Sequence, residues 1–194
     1  ASVGVFYKEI KNPIFTRRTE DVVYRGIPLD VLSRPENADK GTLLGLELNI
    51  EQQFVNLPQP FDGLGASLNL TFIDSEVDVF GREEDNLPFF RQPDTIGNVS
   101  LFYALGRFEA RVAVSYRDAY LQGIGGDTSE DVYFDERTQV DLKVSFDATD
   151  RFSLFGELQN INDASRREYQ GRPSRLYADE IYSWTALFGA SYAF

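Results

Sequence analysis

The sequence predicts an all-β chain: about eight consecutive antiparallel strands running up and down as the wall of a transmembrane β-barrel. Three observations carry this. Hydrophobicity alternates with period two along most of the chain, on segments rich in aromatic and β-branched residues. The connections alternate between short and long, as they do when strands turn tightly at one end of a barrel and loop widely at the other. Finally, the C-terminal segment YSWTALFGASYAF carries its aromatic and small apolar residues on one face, at Tyr182, Trp184, Ala186, Phe188, Ala190, Tyr192 and Phe194.

In chain order, strands are expected at about 2–13, 42–55, 64–78, 95–105, 107–120, 134–147, 152–162 and 180–194. The first places Val3, Val5 and Tyr7 on its apolar face. In the second, Leu44, Leu46, Leu48, Ile50 and Phe54 oppose Gly45, Glu47, Asn49, Glu51 and Gln53. The third sets Ala66, Leu68, Leu70 and Phe72 against Ser67, Asn69 and Thr71, and the fourth shows Val99, Leu101 and Tyr103. Phe108, Ala110, Val112, Val114 and Tyr116 oppose Glu109, Arg111, Ala113 and Ser115 in the fifth, while Val140, Leu142, Val144 and Phe146 oppose Gln139, Asp141, Lys143 and Ser145 in the sixth. The seventh alternates less cleanly, because Phe155 falls on the polar side. The short connections are VNLPQPFDG, Gly106-Arg107 and ATDR. The long ones cover roughly 14–41, 75–94, 121–134 and 163–180, and are expected to be polar loops with little regular structure.

Composition narrows the chemistry. With no His and no Cys among 194 residues, Ser-His and Cys-His nucleophile pairs, thiolate or His-rich metal sites and disulfides are all excluded, so neither an enzyme nor a cofactor is expected. A net charge of −12 disfavours nucleic acid as a partner. No apolar run approaches the ~18 residues of a membrane helix. The mean hydropathy of −0.31 is compatible with a membrane barrel, whose strands are apolar on one face only. The chain starts at Ala1 and lacks Met, which reads as a processed product or a piece of something longer.

In a barrel, Glu47, Asn49, Glu51, Glu109, Arg111, Asp141, Lys143 and Glu157 face a wet lumen, where mixed signs suggest cross-strand pairs along the wall or contacts to a plug. Arg82, Arg91, Arg172 and Arg175 lie in long loops and are candidate contacts to an anionic ligand. The acidic runs Glu83-Glu84-Asp85 and Glu130-Asp131 read as solvated loop tips, with calcium binding the sharper alternative. Tyr182 and Trp184 would sit in one interfacial girdle, Tyr192 and Phe194 in the other, with Phe188 on the lipid face between them.

LFGELQNINDASRREYQGRPSR, followed by a strand ending in YAF, resembles the C-terminal end of TonB-dependent outer-membrane receptors. The features that carry this are Asn160-Ile161-Asn162-Asp163, Tyr169-Gln170-Gly171-Arg172-Pro173 and Phe194. VFYKEIKNPIF, NADKGTLLGLELNIEQ and LPFFRQPDTIGNVSLFY are similar to earlier strands of the same family, so the likeness runs over the whole chain. It implies a barrel of about 22 strands closed around an N-terminal plug, of which residues 1–194 are the last eight. It also implies the outer membrane of a Gram-negative bacterium and contact with its lipid. Energy would come from the TonB complex through a segment outside this chain, and the cargo would be a scarce nutrient such as a ferric siderophore, cobalamin, haem or a carbohydrate. Phe194 resembles the signal read by the barrel-assembly machinery. Two other architectures meet the strand pattern: a complete eight-stranded barrel of structural or adhesion type, closed by pairing 180–194 with 2–13, and a soluble β-sandwich binding module.

The period-two assignment is testable in the full-length parent in lipid. Arg at Leu142 or Val144 should cost about 2–4 kcal/mol near the bilayer midplane, whereas Arg at Ser145 should be tolerated. Equal unfolding free energies for Arg at 144 and 145 would contradict it.

Overall fold

A computed structural model describes residues 1–194. Fourteen strands are present: β1 (Ser2–Lys11), β2 (Ile14–Tyr24), β3 (Ile27–Asn37), β4 (Lys40–Gln53), β5 (Leu64–Asp78), β6 (Thr95–Leu105), β7 (Phe108–Arg117), β8 (Tyr120–Gly123), β9 (Val132–Phe134), β10 (Arg137–Thr149), β11 (Phe152–Gln159), β12 (Arg166–Gln170), β13 (Leu176–Glu180) and β14 (Thr185–Tyr192). Eight of them form one antiparallel sheet in the order β1-β4-β5-β6-β7-β10-β11-β14. These are the eight expected strands, each paired with its neighbour in that series, so the short connections all lie at one end.

The register sorts side chains by polarity across the whole sheet. Val5, Leu46 and Phe72 are successive cross-strand partners, as are Leu68, Val99, Val114 and Val140, then Leu142, Leu158 and Ala186. No other element covers this apolar face, and Val5 is 73% exposed and Leu101 58%. Large rings cluster at its borders. Tyr7, Phe72 and Tyr116 lie toward the long connections, while Tyr103, Phe108, Phe146, Phe152 and Tyr192 lie toward the short turns, with Leu, Val, Ala and Gly between. That is the distribution of two interfacial girdles flanking a hydrocarbon band. β4 and β5 are 14 and 15 residues long, more than the ~9–11 a tilted strand needs to cross. Above Leu44 and Phe72 their outward positions become polar, with Lys40 paired to Glu9 at 3.3 Å.

Four glycines serve as seats for aromatic rings. A Cβ on Gly45 would stand 2.1 Å from Phe6 Cζ, on Gly65 2.3 Å from Phe102, on Gly189 2.3 Å from Phe155, and on Gly156 3.1 Å from Phe188. Phe155 therefore breaks the alternation for a reason: its ring covers a residue of β14 that has no side chain, packing apolar surface on the polar face.

Three expectations are corrected. Residues 14–41 hold a long hairpin, β2–β3, because Thr, Val, Ile and Leu run either side of the Arg25-Gly26 turn, where both residues take positive φ. The connections at 118–136 and 160–184 likewise contribute β8, β9, β12 and β13 to a four-stranded sheet. The final strand is shorter than 180–194, because Ser183 at φ 59° separates β13 from β14. Neither alternative architecture forms. The main sheet is open with β1 and β14 as its edges, and no second sheet packs on its apolar face as a sandwich requires.

The core lies where the long connections fold over the top of the polar face. Phe15, Ala38, Val77, Val79, Leu87, Leu121 and Ile124 make one buried cluster, joined by Phe89 and Phe90. The side is fixed by Phe89, whose ring fills the space above Gly41, a position in phase with Glu47 and Asn49. We refer to this assembly as the roof.

Gly45→Val should destabilise the sheet by about 1–3 kcal/mol through the clash with Phe6. The double variant with Phe6→Ala should recover part of that loss in urea titrations of the refolded full-length parent.

Candidate functional site

The polar face of the main sheet and the underside of the roof form one continuous surface. Glu47, Asn49 and Glu51 stand opposite Thr71, Asn69 and Ser67, and Ser67 shares a 2.7 Å hydrogen bond with Ser100. Glu109 lies opposite Ser145 and Arg111 opposite Lys143, which is paired with Glu157 at 2.7 Å. Arg111 lies over the Phe102 ring at 5.6 Å. Together with Glu109, Lys143 and Ser145 it borders a depression of about 440 Å³. Asp141 accepts hydrogen bonds from the Gln139 side chain and, at 2.8 Å, from the Asn160 amide. All eight residues expected on the lumenal side are thus in phase on one face.

The Asn160-Ile161-Asn162-Asp163 element ties that wall to the roof. Asn160, buried and at φ 57°, donates to the carbonyls of Ala164 and Ser183 and accepts from the Ala164 amide. Asn162 replaces a strand residue opposite β10: its side chain accepts from the Val140 amide at 2.9 Å and donates to the Thr138 carbonyl at 2.8 Å. Two amide side chains therefore satisfy backbone that the departing chain would otherwise leave open.

The loop arginines have different fates. Arg82 is buried and its guanidinium is occupied by protein: it bonds both carboxylate oxygens of Asp131, the Gly125 carbonyl and Asp85. The hydrogen bonds to Asp131 raise its pKa despite the opposing effect of burial, so Arg82 stays charged. Asp131, expected in a solvated loop tip, has no exposed surface and also accepts the Gly125 amide at 2.9 Å. Arg175 donates to the Ser129 carbonyl at 3.2 Å, and the Arg91 amide bonds the Leu121 carbonyl at 2.8 Å. Arg82, Arg91 and Arg175 therefore all fasten the β8–β9 segment, while Arg172 stays exposed in the β12–β13 turn. Sequence alone had no route to the Arg82–Asp131 pair, whose members are 49 positions apart.

Aromatic groups complete the roof. Tyr133 stacks on Tyr169 with centroids 5.2 Å apart, and burial, reinforced by Asp131, pushes the Tyr133 hydroxyl up to about 12. Burial would raise Glu36, but hydrogen bonds from Arg17 and Arg34 outweigh it and hold the carboxyl below its usual range. Of the expected girdle residues, Phe188 and Tyr192 lie in β14. Tyr182 and Trp184 lie in the segment before it, with the Tyr182 hydroxyl on Glu180. Phe194 follows the strand, edge-on to Tyr192 at 5.4 Å.

A family profile described as "TonB dependent receptor-like, beta-barrel" matches residues 1–161. Two solved structures share the fold. One is the siderophore receptor PiuA from Acinetobacter baumannii, with a TM-score of 0.63 and 13% identity over 98% of this chain and 25% of that one. The other is the ferric citrate transporter FecA in its unliganded form, with a TM-score of 0.61 and 14% identity over 80% of this chain and 25% of that one. The chain thus spans about a quarter of the length of either. Comparison with curated protein sequences finds no match.

Asp131→Ala leaves the buried Arg82 without its main partner and should destabilise the roof by about 3–5 kcal/mol. Amide exchange should accelerate at Gly125 and Gly171 while the main sheet stays protected. Glu84→Ala, on an exposed side chain of the neighbouring loop, should change neither.

Proposed function

This chain belongs to the TonB-dependent receptor β-barrel family, and from that premise we propose that it is the closing part of the barrel of a Gram-negative outer-membrane receptor. That receptor takes up a scarce small molecule, a ferric chelate being the class favoured by the named functions of PiuA and FecA. The observation that carries the proposal is a sheet of eight strands with one face uncovered and apolar across its middle band and the other polar and charged. Such a wall is stable only with hydrocarbon on one side and water or protein on the other.

The orientation follows. The short turns face the periplasm, and the β2–β3 hairpin and the four-stranded sheet stand outside the cell, where the roof meets the incoming molecule. The lumenal charges Glu47, Glu51, Glu109, Arg111, Asp141, Lys143 and Glu157 face a plug supplied by another part of the protein, which also carries the contact with TonB. The contribution of this chain is a selective wall and a rigid outer vestibule.

Cysteine labelling of the full-length parent in intact cells tests the orientation. Gly26→Cys, in the β2–β3 turn, should react with a membrane-impermeant maleimide. Asp150→Cys, in the turn between β10 and β11, should react only after the outer membrane is permeabilised. Equal labelling of both in intact cells would overturn the proposal. Uptake of the cargo should also stop when TonB is deleted.

A further inference from the structure

At the upper end of the lumenal wall, Arg117 and Arg137 are direct cross-strand partners on β7 and β10. Both are in phase with Arg111, Ser115 and Gln139. They border a depression of about 260 Å³ that Asn98, Ser115 and Gln139 also line. Like charges placed directly opposite one another destabilise a sheet unless something neutralises them, and neither arginine forms an ion pair within this chain. Arg166 makes the contrast: it lies 4.2 Å above the Phe134 ring and is paired with Glu180 at 3.2 Å and Glu168 at 3.9 Å. Arg117 packs on the same Phe134 ring at 5.6 Å and on Tyr120 at 4.9 Å, but forms no ion pair. Arg137 donates once, to the Ala164 carbonyl at 3.2 Å, and its Nε is buried without a partner.

The carboxylates nearest in sequence lie on the opposite face. Glu136 accepts from the outward Tyr116 hydroxyl at 3.4 Å. Asp118 continues the β7 ladder through its amide to the Thr95 carbonyl at 2.9 Å, which turns its side chain outward as well. In a chain of net charge −12, two unneutralised guanidinium groups are thus directed to one side of one cross-strand pair. The rings beneath Arg117 hold it in place, so little side-chain entropy remains to be lost on binding.

We propose that Arg117 and Arg137 form an anion-binding station on the lumenal wall, just under the roof, for a small molecule carrying carboxylate or phosphate oxygens. The chemistry suits this class: guanidinium groups bind carboxylate and phosphate oxygens as two-pronged donors, and both arginines border one depression, where Asn98, Ser115 and Gln139 supply neutral hydrogen-bonding groups. The proposal rests on the receptor reading above, which makes this face the lumen, and it gives the cargo a charge class.

The test uses the full-length receptor in detergent, titrated calorimetrically with citrate, with pyrophosphate and with maltose as a neutral control. Wild type should bind citrate or pyrophosphate saturably, with affinity falling as salt rises, and should not bind maltose. The Arg117→Gln/Arg137→Gln double variant should lose at least about tenfold in affinity, as expected for removing charge-assisted hydrogen bonds. The Lys double variant should retain part of the binding, since it keeps the charges without the forks. Arg107→Gln, at a periplasmic turn, should bind as wild type. Heat-modifiable gel mobility reports folding of each variant, and if the Gln double variant does not fold, the single Arg137→Gln variant takes its place. Absence of saturable anion binding by wild type, or wild-type affinity in the Gln variant, would overturn the station. Neither result would alter the cysteine-labelling pattern, so failure of the station is distinguishable from failure of the receptor reading.

Discussion

Everything in this molecule depends on register. A strand in hydrocarbon must give every backbone amide and carbonyl to a neighbour, and the side-chain period of two then leaves no freedom: a slip by one residue would put Glu47 or Lys143 into lipid. In the main sheet the pairing runs without a shift from β1 to β10, and that sheet's one irregularity, between Asp147 and Thr149, falls at a turn. The glycine seats help to hold it. Phe6 on Gly45 and Phe102 on Gly65 act toward one edge of the sheet, Phe155 on Gly189 and Phe188 on Gly156 toward the other. Each ring needs a residue without a Cβ opposite it, so a shifted strand would meet a clash as well as misplaced charge.

The roof is governed by a different balance. A buried ion pair such as Arg82–Asp131 contributes little net stability over an apolar substitute, yet breaking it is costly, because either partner alone is a charge without water. Its effect is to select one arrangement of the 79–94 and 118–136 segments. Asp131 also accepts the Gly125 amide and its carbonyl accepts the Gly171 amide, so the β12–β13 hairpin is bound into the same arrangement. In the receptor proposed above, this means a vestibule shaped before its cargo arrives, so that the ordering of these loops is not charged against affinity.

The transmembrane part of the fold was legible because lipid and water impose one alternation on it, and the residues obey it: the polar residues from Glu47 to Glu157 share one face of the sheet. The extramembrane part was less so. Segment 14–41 is broken by Pro28 and Pro35 and carries charges on both faces, so its hairpin shows no clean alternation. β8, β9 and β12 are three to five residues long, too short to show a period. Charge and position in a loop mark an arginine as a candidate, but what a loop arginine does depends on what folds against it. Arg82 found Asp131 through tertiary contact, and the unpaired Arg117 and Arg137 lay inside expected strands, where alternation drew attention to sign and not to missing partners.

Edges complete the physical picture. β1 bonds only β4 and β14 only β11, so every second amide and carbonyl along each outer side is unpaired. In water such edges invite aggregation; in hydrocarbon each open group costs several kcal/mol. The two edges do not meet, although an eight-stranded sheet is large enough to close. What keeps them apart is consistent with the rest of the molecule. The roof fills the space above the lumenal face, with Phe15, Val77, Leu87 and Leu121 packed together there, and closing eight strands would shrink the interior until side chains alone filled it. The polar face carries more than such a narrow barrel could hold: Arg111, Lys143 and Glu157 at one end, Arg117 and Arg137 at the other, and a hydrophobic cap over the top. Both edges of such a wall call for strands to pair with, and the barrel proposed above answers this with a lumen wide enough to keep those charges wet or paired.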